Sequence, residues 1–343
     1  MQKATLIDIA QRTGFSVSTV SRALSGQAEK YRISKKAIEI ISREAERCNY
    51  TPSLLAKGLR LNKTYTLGLI IPGIDNPYFA NIASAMIHEA KRLGYQMIII
   101  DTLENAANER EGISSLMSRK VDGMVIVTSD NDAAYLESIH RNVPMVLIDR
   151  HFANTSLPYV CSDNRQGGYD ATEYLIGMGH RDILCIQGVQ RSMPSRQRVD
   201  GYHAAMRRAG LEAQTRVVGN DFTIQNGYLE TKLAFSSPNP PSAIFALSNT
   251  ILLGTLKAIH ELGLRIPDDV SIVAFDNQIY MDYLNPAITR ISQSTSEMCT
   301  LAMRILMQQI SGDGSSDVQM LLPPKMVVCN SVRVMRHSAA VEK

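Results

Sequence analysis

Along residues 1–50 the apolar positions recur three and four apart. Leu6, Ile9 and Ala10 form one stripe, Val20 and Leu24 a second, and Ala37, Ile38, Ile41 and Ala45 a third. That period is helical, so three short helices are predicted. Each has a polar start. Thr5 with Asp8 three residues on fits a capping box, Ser16 suits the second helix and Ser34 the third. Gly14 marks the turn between the first two. Two short helices joined by a glycine turn and backed by a third make a helix-turn-helix head. Beyond residue 63 the rhythm changes. TLGLII, QMIIID, GMVIV and MVLID are short runs rich in Ile and Val, and amphipathic stretches such as 80–93 and 110–118 separate them. After Asp163 the series restarts with DILCIQG, SAIFALS and VSIVAFD. Strands alternating with helices mean βαβ units and a parallel sheet, so the expected body is α/β with two Rossmann-like lobes.

Length agrees with several domains, since 343 residues exceed one ordinary core. Charge sharpens the division. Residues 1–63 hold 12 Lys or Arg against 5 Asp or Glu, whereas the remainder hold 24 against 28. A head at +7 on a body at −4 points to a polyanionic partner for the head alone. No run of 18 apolar residues predicts a membrane span. The start, MQKATLIDIAQR, lacks the pattern of a secretory signal, and five scattered cysteines suit a reducing cytoplasm. The seven histidines have no metal-ligand spacing, and GxGxxG, GxxxxGK[ST] and GxSxG are absent. Neither catalysis nor a cofactor is therefore expected.

The second helix, within GFSVSTVSRALSG, carries the candidate chemistry. Small hydroxyl residues let a helix backbone approach a DNA groove closely. Ser16, Thr19 and Ser21 suit phosphate contacts, and Thr5 joins them at the start of the first helix. The Arg22 fork matches guanine O6 and N7, and Ser18 suits a base edge. Val17 has two readings, a thymine-methyl contact or a staple on the core. Arg22 has a surface ion pair as its alternative. Pro52 ends the third helix or opens the next element, and Ser53 can cap a short segment, 54–61, too short to be helical alone in water. It carries Lys57, Leu59 and Arg60.

In the body, ligands are expected beyond the carboxyl ends of the parallel strands. The residues there are Tyr78 and Phe79 after the first strand and Asp149 and Arg150 after the fourth. In the second lobe they are Ser192 to Arg198, Phe222, Ser248 with Asn249, and Asp276. Carboxylates and guanidinium groups grip adjacent hydroxyls, and aromatic rings cover the face of a sugar or base. If Arg150, Arg191, Arg196 and Arg198 converge, the ligand is acidic; if most lie on the surface, it is neutral.

TLIDIAQRTGFSVSTVSRALSG followed by YTPSLLAKGLR resembles the head and hinge of the LacI/GalR family of bacterial transcription regulators. The likeness continues in order through TLGLIIPGIDNPYFANIASAMIHEAKRLGY, RKVDGMVIV, VPMVLIDR, YVCSDNRQGGYDATEYLIGMGHRDI, RVDGYHAAMRRAGL, GLRIPDDVSIVAFDN and PAITRISQ, spanning about residues 4 to 333. It implies a DNA-binding head (1–52), a hinge (53–63) and a periplasmic-binding-protein-like body (64–335). The body's lobes would comprise 64–161 with 292–322, and 162–291 with 323–335. The resemblance further implies a homodimer on pseudo-palindromic duplex DNA, repression more often than activation, and control by a sugar-like effector. Leu59 matches the family's minor-groove wedge, flanked by Lys57 and Arg60. Tyr78, Phe79, Asp149, Arg198 and Asp276 match its pocket. Two departures stand out. SGQAEKYRI is about three residues longer than the family's turn, and Ser248-Asn249 replaces Asn-Asp. A free solute-binding protein is the alternative reading of the body.

Overall fold

The computed structural model describes residues 4–50, 63–313 and 318–335. The chain divides into two compact units, Met1–Tyr65 and Thr66–Lys343. In the first, α1 (Leu6–Thr13), α2 (Val17–Leu24) and α3 (Lys35–Arg47) surround Ile9, Val20 and Ile41, all fully buried. The caps explain where each helix starts. Thr5 and Asp8 form the reciprocal box, with Asp8 N–H donating to Thr5 Oγ1 at 3.3 Å and Thr5 N–H to Asp8 Oδ2 at 2.7 Å. Ser16 and Ser34 accept from Thr19 and Ala37 N–H. Gly14, at φ 73°, closes α1 in the left-handed region that an L side chain avoids.

The second unit holds two sheets of six strands each among the described residues. One contains β1 (Thr66–Ile71), β2 (Gln96–Asp101), β3 (Gly123–Ile126), β4 (Met145–Ile148), β5 (Tyr159–Ser162) and β11 (Gln319–Leu322), in the order β2-β1-β3-β4-β5-β11, all parallel. The other contains β6 (Ile183–Ile186), β7 (Arg216–Val218), β8 (Ala243–Ala246), β9 (Ser271–Phe275), β10 (Thr289–Ser292) and β12 (Lys325–Val327). Its order, β7-β6-β8-β9-β10-β12, repeats the first sheet's, except that β12 runs antiparallel to β10. Four-residue strands such as GMVI, MVLI, ILCI and AIFA are buried at every position, as expected of strands covered on both faces. In chain order the helices are α4 (Pro77–Arg92), α5 (Ala106–Ser118), α6 (Ala134–His140), α7 (Asn164–Gly177), α8 (Met193–Arg208), α9 (Ile224–Phe235), α10 (Asn249–Glu261) and α11 (Thr295–Ser311). The chain passes between lobes after β5, after β10 and between β11 and β12.

His180 lies just before β6 and is fully buried. Its Nε2 faces the Arg333 carbonyl at 3.2 Å, an acceptor only, so that nitrogen carries the proton; Nδ1 pairs with the Ser242 hydroxyl at 2.9 Å. Burial pulls its pKa from 6.5 down to about 4. A depressed folded pKa contributes stability above the unfolded value that is lost as pH falls from 6.5 towards 4, on the order of 3 kcal/mol in all. Thermal melts across that range should show His180→Gln with a flatter acid decline than the parent, because its amide does not titrate.

Candidate DNA-reading face and interlobe site

The exposed side of α2 is built from short polar groups. Val17 and Ser18 are exposed, whereas Thr19, Ser21 and Arg22 are half-buried. Val17, 42% exposed, therefore does not serve as a buried staple. Ser16 bonds Thr19 Oγ1 at 2.8 Å and Ser18 Oγ at 2.9 Å, so these hydroxyls are held in a chain along the first turn. Thr5 Oγ1 and N–H are both engaged by Asp8. Arg22 makes no ion pair among the described residues. Its guanidinium instead lies 3.9 Å from the centre of the Tyr31 ring. Tyr31 belongs to the long turn, which is anchored by buried Ala28 and by the Gln27 N–H to Arg22 carbonyl bond of 3.1 Å. Lys30 and Arg32 of that turn are exposed. Pro52, Ser53, the 54–61 segment and its Lys57, Leu59 and Arg60 lie outside the described residues.

In the body, the doubly wound order places a crevice at the carboxyl ends of both sheets, and the two crevices face each other. A pocket there is lined by Tyr78, Phe79, Asp149, Arg150, Arg198, Phe222, Ser248 and Asp276, with Asn76, Glu104 and Pro194. It is polar at its base. Tyr78 donates to Asp149 Oδ1 at 2.5 Å, and burial, helped by that carboxylate, pushes its phenol well above the ordinary value. Gln293, at the second lobe crossing, lies 3.2 Å from the same hydroxyl and donates to Asp276 Oδ1 at 2.7 Å. Thus one side chain ties an acid of lobe 2 to a phenol of lobe 1. Asn249 sits behind Asp276 and donates to its Oδ2 from both backbone and side chain, each at 3.0 Å. Ser248 lines the pocket and caps α10 by accepting from Ile251 N–H.

Two arginines supply the cationic side. Arg198, 4% exposed, donates to Asn164 Oδ1 at 2.8 Å and to the Leu247 carbonyl at 2.6 Å, and lies 3.7 Å from the Phe275 ring centre. Burial lowers its pKa, opposed by the charges of Asp276 and Asp149. Arg150 grips Glu104 with both terminal nitrogens, at 2.8 and 2.7 Å. Asp149 is raised above 3.8 by burial, opposed by Arg150, Tyr78 and Arg198. The placement of Arg198 depends on a close approach of α7 to α8. A Cβ on Gly168 would overlap the Arg198 carbonyl, and one on Gly201 would overlap that of Arg165.

Asp149 and Asp276 occupy corresponding places, each one residue past the fourth strand of its lobe's series. Both hold left-handed backbones, φ 68° and 79°, and Glu104 does the same at φ 55°. Such conformations cost about 1–3 kcal/mol each in non-glycine residues, a strain that gathers where ligands bind. Sequence reasoning missed Gln293, Asn164, Glu104 and Phe275. The strand-end rule extended to β2 would have found Glu104; Phe275 ends β9, and Asn164 and Gln293 come from a helix start and a crossing that no spacing marks. Free space in the pocket is about 30 Å³, room for one or two waters, so a sugar ring enters only if the lobes part.

No helix among the described residues is long and apolar enough to cross a membrane, and no cluster of metal-ligating side chains occurs among them. Residues 5–53 match the description "Bacterial regulatory proteins, lacI family", and residues 64–323 match "Periplasmic binding proteins and sugar binding domain of LacI family". The ribose operon repressor of Halalkalibacterium halodurans is 33% identical over 94% of this chain and 96% of its own. A transcriptional repressor of Actinobacillus pleuropneumoniae named PurR is 31% identical over 96% and 98%. In fold, the chain superposes on the lac repressor dimer structure bound to operator and an anti-inducer, with a TM-score of 0.87 over 97% of this chain and 100% of that one, at 24% identity. With both matches in order and together spanning most of its length, the chain belongs to the LacI family of bacterial regulatory proteins.

Proposed function

We propose that this chain is a cytoplasmic transcriptional repressor that binds a pseudo-palindromic operator as a homodimer and changes its grip when a sugar or sugar derivative enters the interlobe pocket. The observation that carries this is the pairing, in one chain, of an α2 face bearing an arginine without a carboxylate partner and a buried interlobe cluster joining Tyr78, Asp149, Gln293 and Asp276. Residues 1–52 read DNA and 53–63 form the hinge. Residues 64–335 sense the ligand and dimerise. Two heads related by a twofold axis fit two half-sites in the same relation. Ser16, Ser18, Thr19 and Ser21 position the helix on phosphates or base edges, Val17 touches a methyl group and Arg22 reads a guanine. Lys57, Leu59 and Arg60 act at the minor groove. Thr5 presents the start of α1 to a phosphate. Tyr78, Phe79, Asp149, Arg150, Arg198, Phe222, Ser248 and Asp276 meet the ligand, with Asn249 orienting Asp276.

Closure of the lobes on a ligand couples the pocket to the head by about 1–3 kcal/mol. The full chain, mixed with a pool of random duplexes at physiological ionic strength, should enrich a pseudo-palindrome. Adding sugars to the enriched complex should then shift its affinity. A pool that stays random after repeated selection, with or without sugars, refutes the proposal.

A further inference from the structure

Outside that small inner pocket the cleft opens into a second chamber of about 160 Å³, with walls from both lobes. Glu104, Asp130 and Arg150 face it from lobe 1, and Arg191, Ser192 and Arg196 from lobe 2. Its two acids are already engaged. Glu104 is held by the Arg150 fork. Asp130 pairs with Arg110 at 3.0 Å and accepts from the backbone N–H groups of Asn131 and Asp132. Arg191 and Arg196 have no carboxylate partner among the described residues. The chamber therefore carries two guanidinium charges that the protein leaves uncompensated.

Two further features point the same way. Ser192 stands at the N-cap of the sixteen-residue α8, yet its hydroxyl caps nothing and is buried without a hydrogen-bond partner. Arg150 is 7% exposed, and its Nε, 3.9 Å from Asp149 Oδ2, is likewise buried without a hydrogen-bond partner. A buried donor left unmade is costly, and the positive end of a helix adds to the same field. An oxyanion suits this chamber: it accepts from the Arg191 and Arg196 guanidinium groups and the Ser192 hydroxyl and lies at the helix start.

We propose that this outer chamber takes the anionic substituent, a phosphate or a carboxylate, of a sugar whose ring lies in the inner pocket. The inference rests on the interlobe reading given above. It names the ligand class as sugar phosphates or sugar acids rather than neutral sugars.

The test is isothermal titration of the full chain with D-ribose, D-glucose, ribose 5-phosphate, glucose 6-phosphate, D-glucuronate and inorganic phosphate. At least one charged sugar should bind about tenfold or more tighter than its neutral parent, the worth of a charge-assisted hydrogen bond. The phosphate esters and the glucuronate separate the two anion types. In the double variant Arg191→Ala/Arg196→Ala, at two exposed positions outside the lining of the inner pocket, that advantage should vanish while the neutral parent binds as before. Equal affinity for charged and neutral sugars overturns the chamber but leaves the ring pocket standing. Inorganic phosphate binding as tightly as the sugar phosphate means an adventitious ion only, and overturns the link to a sugar. A chain that responds to no sugar overturns the ring pocket and the chamber together.

Discussion

Arg22→Ala should weaken binding to the selected operator by about 1–3 kcal/mol, roughly 5- to 150-fold, and relax preference at one base pair. The reason is that Arg22 has no carboxylate partner among the described residues to leave stranded. Its contact within the head is the Tyr31 ring, so truncation leaves no buried charge behind and the fold of the head should persist. The lost energy is then the energy of base recognition. Arg22→Lys should recover little, because an ammonium cannot span guanine O6 and N7 as a planar fork does. Tyr31 holds the fork in place before DNA arrives. An exposed cation–π contact is worth about 0.5–1 kcal/mol, so Tyr31→Ala should show a smaller loss at the same base pair. Fluorescence anisotropy on operators varied one base at a time measures all three. If Arg22→Ala bound with parental affinity and parental base preference, the assignment of α2 as the reading helix would be wrong.

The other large effect is expected from Arg198→Met, which should abolish the ligand response by removing about 2–5 kcal/mol of binding. Arg198 spends two donors on Asn164 and Leu247, and the rest of its fork is available to the pocket. Methionine fills comparable volume over the Phe275 ring, so packing is largely kept and the loss is one of charge and hydrogen bonds. A stability signature should accompany it. Asp149 already has a folded pKa raised above 3.8 by burial, and Arg198 opposes that rise. Without Arg198 the folded pKa climbs further. A raised folded pKa means stability that is present below the unfolded value and lost as pH rises through the folded one. The melting deficit of Arg198→Met should therefore be small near pH 4 and grow towards neutrality. Calorimetric titration reads the first effect and thermal melts against pH the second. Parental ligand affinity in this variant would remove Arg198 from the site.

Much of the architecture was legible in the order of residues alone. The three capped helices of the head, the doubled strand–helix series and the strand-end positions of Asp149 and Asp276 all follow from periodicity and cap chemistry. Those are local signals, carried by residues within one or two turns of each other. Other features needed the folded chain. The long turn was visible as an insertion, but that it brings Tyr31 to Arg22 depends on Ala28 being buried beneath it. Asn249 read as a pocket residue, and its two hydrogen bonds to Asp276 Oδ2 depend on the folded chain. Gln293 gave no signal, although it spans the two lobes. The arginines stood open between pocket and surface. The fold sorts them, with Arg198 buried at the base, Arg150 tied to Glu104, and Arg191 with Arg196 at the outer chamber.

By itself, then, the sequence determined the elements, their order and the charge of each unit, because hydrogen bonding and hydrophobic period act between near neighbours. Tertiary structure alone decided which carboxylates, guanidinium groups, phenols and amides meet. Those pairings join residues as distant as Tyr78 and Gln293, and a Coulomb or hydrogen-bond energy exists only once two lobes have brought the atoms within a few ångströms.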